Sequence, residues 1–309
     1  MTTPQAPRIG VFAPFGLLEQ GAERIRAFLL QVERHGLDHV CCGDHVSFAG
    51  QGFDGLIQAT ALAMLHPALD VHVGVYLLPL RPPVLVARQL ADLDRLAPGR
   101  LVLGVGVGGE DRREVSNSGV DPATRGRRTD ESLALVRRLL AGDAVTCHGE
   151  FFDLDEAVIS PAPADPIPFV VGGRSAAAVA RAGRLGDGWL GIWNSPARFA
   201  AVVEQTAAEA ERAGRPDPPR RHAMQVWCGF ADSRPVARAR LAPAMEAFYG
   251  LPFERFERYC PYGTDEDVAE FLAGYVAAGC TEFNLIAQAP DGEQALAGAA
   301  AVKRLLARF

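Results

Sequence analysis

The chain has 309 residues, of which 49% are hydrophobic and 22% charged, a composition that excludes intrinsic disorder, collagen and a disulfide miniprotein. Its formal net charge of −6 argues against a nucleic-acid partner, because nucleic-acid-binding proteins normally carry a basic face. No apolar run is long enough to span a membrane, and the first residues lack the basic and apolar regions of a signal peptide. We therefore expect a cytoplasmic protein with no membrane partner.

Short apolar runs alternate with helical patterns along the chain. Ile25, Leu29 and Val32 form one stripe of a helix, and the run 101–107 is apolar on both faces, as a parallel strand covered by helices must be. Eight strands are predicted, at residues 8–13, 39–43, 71–78, 101–107, 169–171, 189–193, 224–230 and 282–286. Helices are predicted at about residues 25–36, 53–65, 82–93, 129–140, 175–185, 196–213, 264–279 and at the C-terminal end.

Two segments interrupt this alternation. Residues 143–166 are predicted to form an inserted hairpin or arm after strand four. Residues 232–263, after strand seven, are predicted to be irregular, and their aromatic residues make them a candidate lid that excludes water from a site. These aromatic residues are Tyr249, Phe253, Phe256 and Tyr259.

Eight strand–helix units predict the fold class. Alternating strands and helices form a parallel sheet, and eight units in this length indicate an α/β protein, a single (β/α)8 TIM barrel over residues 1–309 with these two insertions. A doubly wound open sheet is the alternative. In a closed barrel the active site lies at the carboxyl ends of the strands, so the residues that follow each strand are the candidates for function.

The end of strand two carries the first candidate site residues. Asp44 places a carboxylate next to the imidazole of His45, a side chain that titrates near neutral pH and can move protons. The alternative is a turn aspartate that accepts hydrogen bonds from local amides beside a surface histidine.

The ends of strands four and five are rich in glycine. The glycines of the run 104–109 would let the backbone approach a flat ligand, and the loop continues to Glu110; the alternative is that these glycines serve only tight packing. After strand five a glycine turn leads into a helix, whose free amides and dipole favour an anion such as phosphate, although an ordinary serine N-cap is the alternative. The residues of this turn are Gly172, Gly173, Arg174 and Ser175.

Metal and lysine chemistry are not indicated. The six cysteines show no Cys-x-x-Cys spacing and the histidines are not spaced as metal ligands, so no metal site is predicted and mostly buried free thiols are expected. Lys303 is the only lysine, which argues against the Schiff-base chemistry of a barrel aldolase.

As a set, these motifs resemble the bacterial luciferase-like oxidoreductases. The resemblance rests on the three strand ends described above and on residues 125–131, 184–189 and 263–268, which occur in the right order between residue 8 and about residue 288. It implies a (β/α)8 barrel whose mouth binds FMN or coenzyme F420, a flavin and a deazaflavin.

The resemblance also implies roles for particular residues. Asp44, His45 and Glu110 match the F420-dependent branch, with the ring of the cofactor beside Asp44, Leu77, Leu78, Gly108 and Gly109 and its phosphate at the loop after strand five. The family often has a non-prolyl cis peptide at the end of strand three, here expected near Leu77–Leu78. Many F420-dependent members carry a small polar residue there, which this chain lacks.

The resulting hypothesis is hydride transfer between F420 and a small organic substrate. His45 or Glu110 would donate or accept a proton, and Asp44 would orient His45. One alternative is an FMNH2- and O2-dependent monooxygenase that works with a flavin reductase, and another is a non-catalytic flavin-binding relative. A homodimer is expected, with a flavin or F420 reductase as a further candidate partner.

Overall fold

The computed structural model describes residues 6–48, 51–108 and 111–308. Eight strands, labelled β1 to β8 in chain order, form the central sheet: Arg8–Phe12, His39–Cys42, Asp70–Leu77, Leu101–Gly106, Phe169–Gly172, Gly188–Gly191, Ala223–Phe230 and Glu282–Gln288. The described helices, labelled α1 to α10, are Ala22–Arg34, Gly55–Leu65, Pro83–Leu96, Arg112–Asn117, Arg125–Leu140, Ala176–Leu185, Pro196–Arg212, Arg234–Tyr249, Asp265–Ala277 and Gly292–Leu306.

The sheet closes on itself as a barrel. Each strand pairs in parallel with the next one along the chain, and β8 pairs with β1. The pairing of β6 with β7 excludes the open doubly wound sheet, because an open sheet leaves two strands with a free edge. The predicted (β/α)8 fold is confirmed.

Local sequence explains why the elements form where they do. Helix α1 buries Ile25, Leu29 and Val32, the stripe expected from the sequence, and every residue of β4 is buried as the apolar run predicts. Helix α9 begins with a capping box, in which the side chain of Thr264 accepts from the backbone N–H of Asp267 and the Asp267 carboxylate accepts from the backbone N–H of Thr264.

Two elements near the mouth of the barrel were not predicted. A hairpin, His45–Phe48 with Gln51–Phe53, follows β2 directly, and the short helix α4 follows β4. Helix α5 begins at Arg125, ahead of the start predicted at about residue 129.

The two insertions differ from each other. The hairpin predicted within residues 143–166 is present, with strands Val145–His148 and Asp153–Ala157. The segment 232–263 is not irregular, since half of it is the helix α8, followed by two 3-10 turns and the short strand Tyr262–Gly263 beside β7. Pro235 and Pro243 broke the helical pattern of the sequence, but proline fits a first turn, and the helix tolerates Pro243 on an exposed face.

Polar side chains lie inside the barrel near the amino ends of the strands. The rings of His39 and His72 stack with their centroids 3.7 Å apart, and Nε2 of His39 is 2.8 Å from Oδ1 of Asn284. Burial lowers the pKa of His39 to about 3 and the pKa of His72 well below its ordinary value, because a buried ring loses the hydration of its charged form. Cys41 lies close to both rings, a grouping that the spacing in the sequence did not indicate.

Two composition-based expectations can be compared with the structure. All six cysteines are free thiols, five of them buried and Cys147 half-buried, as expected. Among the described helices, none has both the length and the apolarity needed to cross a membrane.

Candidate active site at the barrel mouth

A cavity of about 920 Å³ opens at the carboxyl ends of the barrel strands. Its volume lies near the upper end of the range of small-molecule sites, roughly 300–1,000 Å³. Every barrel strand contributes to its lining, with Phe12, Cys42, Val75, Gly106, Gly172, Leu190, Trp227 and Ile286 in strand order. The cavity therefore occupies the position where (β/α)8 enzymes hold their substrates.

Asp44 anchors one side of this cavity and is almost fully buried. One carboxylate oxygen accepts from the backbone N–H of Gly55 and the other from that of Leu77, both at 2.8 Å. The guanidinium of Arg81 adds two further hydrogen bonds, at 2.5 and 2.8 Å. Asp44 thus ties the end of β2 to the start of α2 and to the end of β3, and its oxygens are occupied by partners other than His45.

His45 is held by a different carboxylate, that of Glu114 in α4. Nδ1 of His45 lies 3.1 Å from Oε2 of Glu114, and the side chain of Glu114 is 2% exposed. Glu114 also accepts hydrogen bonds from the backbone N–H groups of Val46 and Ser47, at 2.6 and 3.1 Å. The prediction that Asp44 orients His45 is therefore wrong, and the orienting residue is Glu114, which the sequence analysis missed.

The partners of Glu114 assign the tautomer of the imidazole. A carboxylate that already accepts two backbone N–H groups acts as an acceptor, so Nδ1 of His45 carries a proton and donates it. Nε2 is the ring nitrogen that remains for a ligand in the cavity, which His45 lines. No pattern in the sequence marked Glu114, because a glutamate in a polar stretch such as Arg112–Asn117 carries no sign that it will be buried.

Glycines also line the cavity, and at least one of them is there for packing. A Cβ atom on Gly106 would lie 2.3 Å from Cγ2 of Val75, so the tight-packing alternative holds for that position. Gly108 has a φ of +70°, which other residues rarely adopt. A Cβ atom on Gly43 would meet none of the described residues within 4 Å, so that glycine leaves open space beside the cavity. Gly109 and Glu110, two predicted site residues, lie outside the described residues.

The end of strand β3 differs in detail from the expectation. The non-prolyl cis peptide bond joins Gly74 to Val75 and does not lie at Leu77–Leu78. The family resemblance placed it at the strand end, but the irregularity lies inside the strand, where the register with β4 shifts between Val73 and Tyr76. Leu77 lines the cavity, whereas Leu78 is fully buried in the main core and is not among the lining residues.

The loop after β5 leads into α6 and contributes to the cavity lining. Ser175 is the N-cap of α6, and its side chain accepts from the backbone N–H of Ala178 at 3.2 Å. Gly172, Gly173 and Arg174 line the cavity, and the guanidinium of Arg174 lies 5.5 Å from the centre of the Trp193 ring. Ser175 is thus an ordinary N-cap and is not among the described lining residues, whereas the role of this loop in binding phosphate stays a prediction.

Arg174 also lines a smaller pocket of about 170 Å³. Ser195, the N-cap of α7, and Arg198 in the first turn of that helix contribute to it. Two cationic side chains and a second helix N-terminus thus lie beside the main cavity, an arrangement that suits an anionic group.

Aromatic side chains form the remaining part of the cavity lining. Phe15 follows β1, Phe48 lies in the hairpin, and Phe248 lies in α8. The ring of Phe248 stacks on those of Phe15 and Phe48, with centroids 4.9 and 5.9 Å apart. Phe48 in turn stacks on the His45 ring, with the two centroids 4.5 Å apart. The row of aromatic rings therefore ends at His45, the candidate catalytic group. We call Phe15, Phe48, Trp227, Phe248 and Tyr249 the aromatic wall.

The closed barrel and the cavity at its mouth define a (β/α)8 enzyme-type site, with a carboxylate-held histidine at the edge of the cavity. The chain belongs to the luciferase-like monooxygenase family, whose family model matches residues 7–259. This membership confirms the family that the sequence motifs indicated.

Individual relatives agree with this assignment. An uncharacterised protein of Mycobacterium tuberculosis is 36% identical over 170 residues, which span 55% of this chain and 58% of that protein. An F420-dependent glucose-6-phosphate dehydrogenase of Kineococcus radiotolerans is 26% identical over 88% of both chains. The solved structure of an F420-dependent secondary alcohol dehydrogenase in complex with an F420-acetone adduct superposes with a TM-score of 0.84 at 21% identity, covering 98% of this chain and 99% of that one.

Proposed function

We propose that this protein is an F420-dependent oxidoreductase that transfers a hydride between the cofactor and a small organic substrate at the barrel mouth. The observation that carries the proposal is the His45–Glu114 pair at the edge of the cavity of about 920 Å³. The relative from Kineococcus, which is named as F420-dependent and aligns along most of the chain, supports the choice of cofactor.

The residues at the mouth fit a flat ring system. Gly43 and Gly108 line the cavity with backbone rather than side chains, so a planar ligand can lie against them. When bound, F420 supplies the two-electron hydride chemistry, and the protein supplies position and electrostatics. A non-catalytic flavin-binding relative would not need a histidine in a defined tautomer at this position.

His45 is the proposed proton carrier. With Nδ1 donating to Glu114, Nε2 accepts a proton from a substrate hydroxyl, or returns one to it in the opposite direction. Asp44 is proposed to have a structural role. Its hydrogen bonds from Arg81, Gly55 and Leu77 would hold the ends of β2 and β3 in place on either side of the cofactor.

The anionic end of the cofactor is proposed to lie at the loop after β5. Gly172, Gly173 and Ser175 would offer backbone and hydroxyl donors there, and Arg174 a guanidinium. Since Arg174 also lines the smaller pocket with Arg198, both arginines are available to a branched or doubly charged tail.

We also propose that two copies of the chain form a homodimer through the outer face of α2. This helix contains no charged residue, and its Ile57 and Met64 side chains are 64% and 53% exposed. Exposed Leu85 lies on the neighbouring helix α3, and exposed Val46 and Phe53 lie on the hairpin before α2. Exposed apolar side chains on and beside a helix without charges suit a self-complementary twofold interface.

Titration of the purified protein with F420 and with FMN tests the cofactor. We expect saturable binding of F420, followed spectroscopically, and roughly tenfold weaker binding in Arg174→Ala, because a hydrogen bond to a charged group is lost. Arg220→Ala, which removes an exposed arginine away from the cavity, is the matched control and is expected to bind normally. Tight FMN binding without any response to F420 would overturn the proposal in favour of the FMNH2- and O2-dependent monooxygenase with its reductase partner.

A further inference from the structure

The aromatic wall and the glycine positions divide the mouth cavity into two halves. The glycines lie at the ends of β2 to β5, whereas the aromatic wall comes from the segments after β1 and β2, from β7 and from α8. His45 stands where the two halves meet, because it lines the cavity and its ring stacks on Phe48. If the glycine half holds the ring of the cofactor, as in the proposed function, the aromatic half is left for the substrate.

Three rings of the aromatic wall and the ring of His45 have similarly oriented planes, whereas Trp227 and Tyr249 are inclined at 54° and 79° to Phe248. The planes of Phe48 and Phe15 lie at 26° and 25° to that of Phe248, and the plane of His45 lies at 28° to that of Phe48. Rings in this arrangement present faces of similar orientation, against which a flat molecule stacks better than a puckered one.

Packing of α8 onto the barrel accounts for Phe248 and Tyr249, which lie against the buried cluster around Trp227, but not for Phe15. The side chain of Phe15 is 58% exposed although it contacts both Trp227 and Phe248. An apolar ring left exposed at a cavity wall is stabilised when a ligand covers it, because its surface is then removed from water. Trp227, by contrast, is almost fully buried and forms the base of the wall.

The charges near the aromatic wall argue against a phosphorylated or otherwise highly charged substrate. Of the described residues that line the cavity, Glu19, Asp44, His45 and Arg174 are the ones that can carry charge. Asp44 is neutralised by Arg81, and Arg174 stacks on Trp193, which is separated from Phe248 by the ring of Tyr249. The described part of the wall thus offers no cation to balance a substrate phosphate next to Phe248.

We infer that the substrate is a flat, uncharged and mainly apolar molecule that packs against the aromatic wall with its reacting polar group at His45. This inference rests on the proposed function, which places the cofactor in the glycine half. It separates this chain from its relative named for glucose 6-phosphate, a puckered and doubly charged sugar phosphate.

Binding of three small probes tests the inference. Acetophenone and cyclohexyl methyl ketone share a carbonyl and nearly the same size, but only acetophenone has a flat ring, and glucose 6-phosphate is the charged comparison. Affinities are measured by calorimetry and by quenching of tryptophan fluorescence, since Trp193 and Trp227 line the cavity, first on the protein alone and then with F420 added. We expect acetophenone to bind about tenfold more tightly than the saturated ketone, and glucose 6-phosphate to bind more weakly than either.

Variants locate the bound probe. Phe248→Ala is expected to weaken acetophenone binding about tenfold and to abolish the preference for the flat ketone, whereas Phe248→Leu keeps the apolar surface and loses only the preference. Phe271→Ala removes a half-buried ring from α9, which does not line the cavity, and is expected to leave the affinity unchanged.

The outcomes separate this inference from the proposed function. Acetophenone binding that is unaffected by Phe248→Ala, equal affinities for the two ketones, or preferred binding of glucose 6-phosphate would each overturn the substrate class. Probe binding at the aromatic wall together with no binding of F420 would leave the substrate class in place and overturn the cofactor assignment instead.

Discussion

Two buried carboxylates at the barrel mouth have different partners and therefore different tasks. Asp44 is enclosed by Arg81 and two backbone N–H groups, so it stabilises the ends of β2 and β3. Glu114 also accepts hydrogen bonds from two backbone N–H groups, through Oε1, but its other oxygen, Oε2, faces Nδ1 of His45. Removing either charge affects the mouth, yet only Glu114 determines which nitrogen of the imidazole carries the proton.

Replacement of Glu114 by glutamine is expected to reverse the tautomer of His45. The amide oxygen can keep the hydrogen bonds from Val46 and Ser47, and the amide NH2 then faces Nδ1 and turns it into an acceptor. With the histidines labelled with ¹⁵N, NMR should show Nδ1–H at His45 in the native protein and Nε2–H in Glu114→Gln. Turnover with F420 should fall about 100-fold, the range of a misplaced general base.

Glu131 provides the matched control for this substitution. Its carboxylate likewise accepts backbone N–H groups, those of Glu150, Phe151 and Phe152, but at the hairpin after α5. Glu131→Gln is expected to change the free energy of unfolding without changing the ring signals of His45. An unchanged tautomer and unchanged turnover in Glu114→Gln would contradict the positioning role.

At the scale of elements, the ends of the barrel strands differ in what they bury. At the amino ends, β2 and β3 carry the stacked pair His39 and His72, and β8 carries Asn284 beside them. These rings are accommodated only in their neutral forms, because burial lowers the pKa of each. This part of the barrel is therefore sensitive to acid.

Stability is expected to decrease as the pH falls below about 6.5. In the unfolded chain His39 takes up a proton near its ordinary pKa, whereas in the folded chain it does so only near about 3, so the unfolded state binds more protons between these values. The expected loss from His39 is on the order of 1 kcal/mol per pH unit, and His72, whose pKa is also lowered by burial, acts in the same direction. Urea unfolding at pH 7, 6 and 5 measures this slope.

Single substitutions test whether the buried histidines cause this change of the free energy of unfolding with pH. His39→Asn removes one titrating ring and is expected to flatten the pH dependence, even if the variant is less stable at pH 7. His148→Asn removes an exposed histidine from the hairpin after α5 and serves as the control. Equal slopes in the native protein and in His39→Asn would show that the buried pair is not the cause.

At the scale of the whole molecule, the position of α2 links assembly to the site. Its first turn contacts Asp44 through the backbone N–H of Gly55, while its outer face exposes Ile57 and Met64. A second copy packed on this face would hold the start of α2 and the preceding hairpin, which carries His45. The proposed homodimer would thus stabilise one side of each cavity.

A charge on the outer face of α2 is expected to dissociate the dimer. Ile57→Glu combined with Met64→Glu places two carboxylates in the proposed interface, at a cost of several kcal/mol if they are buried without partners. Light scattering coupled to size-exclusion chromatography should change from twice 33.0 kDa to the mass of one chain. The pair Val158→Glu and Val236→Glu, at exposed valines elsewhere, is the control. A native protein of single-chain mass would contradict the proposed dimer.

Much of the architecture could be read from the chain because its signals are local. Alternating apolar runs and helical stripes depend on neighbouring residues, and they located all eight barrel strands to within a few positions. The capping box at Thr264 and the cap at Ser175 were predictable for the same reason, since each joins residues three apart. Helix α8 was missed where Pro243 broke the local pattern.

The chemistry of the mouth depended on contacts between residues distant in the chain. The sequence by itself determined the barrel, the loops that end at its mouth and the presence of His45 there. Only the tertiary structure decided that Glu114, and not the adjacent Asp44, holds that ring, and that His39 and His72 stack inside the barrel. The physical reason is that local spacing sets which backbone conformation is favourable, whereas the partner of a buried polar group is chosen by whatever donors the closed barrel brings to it.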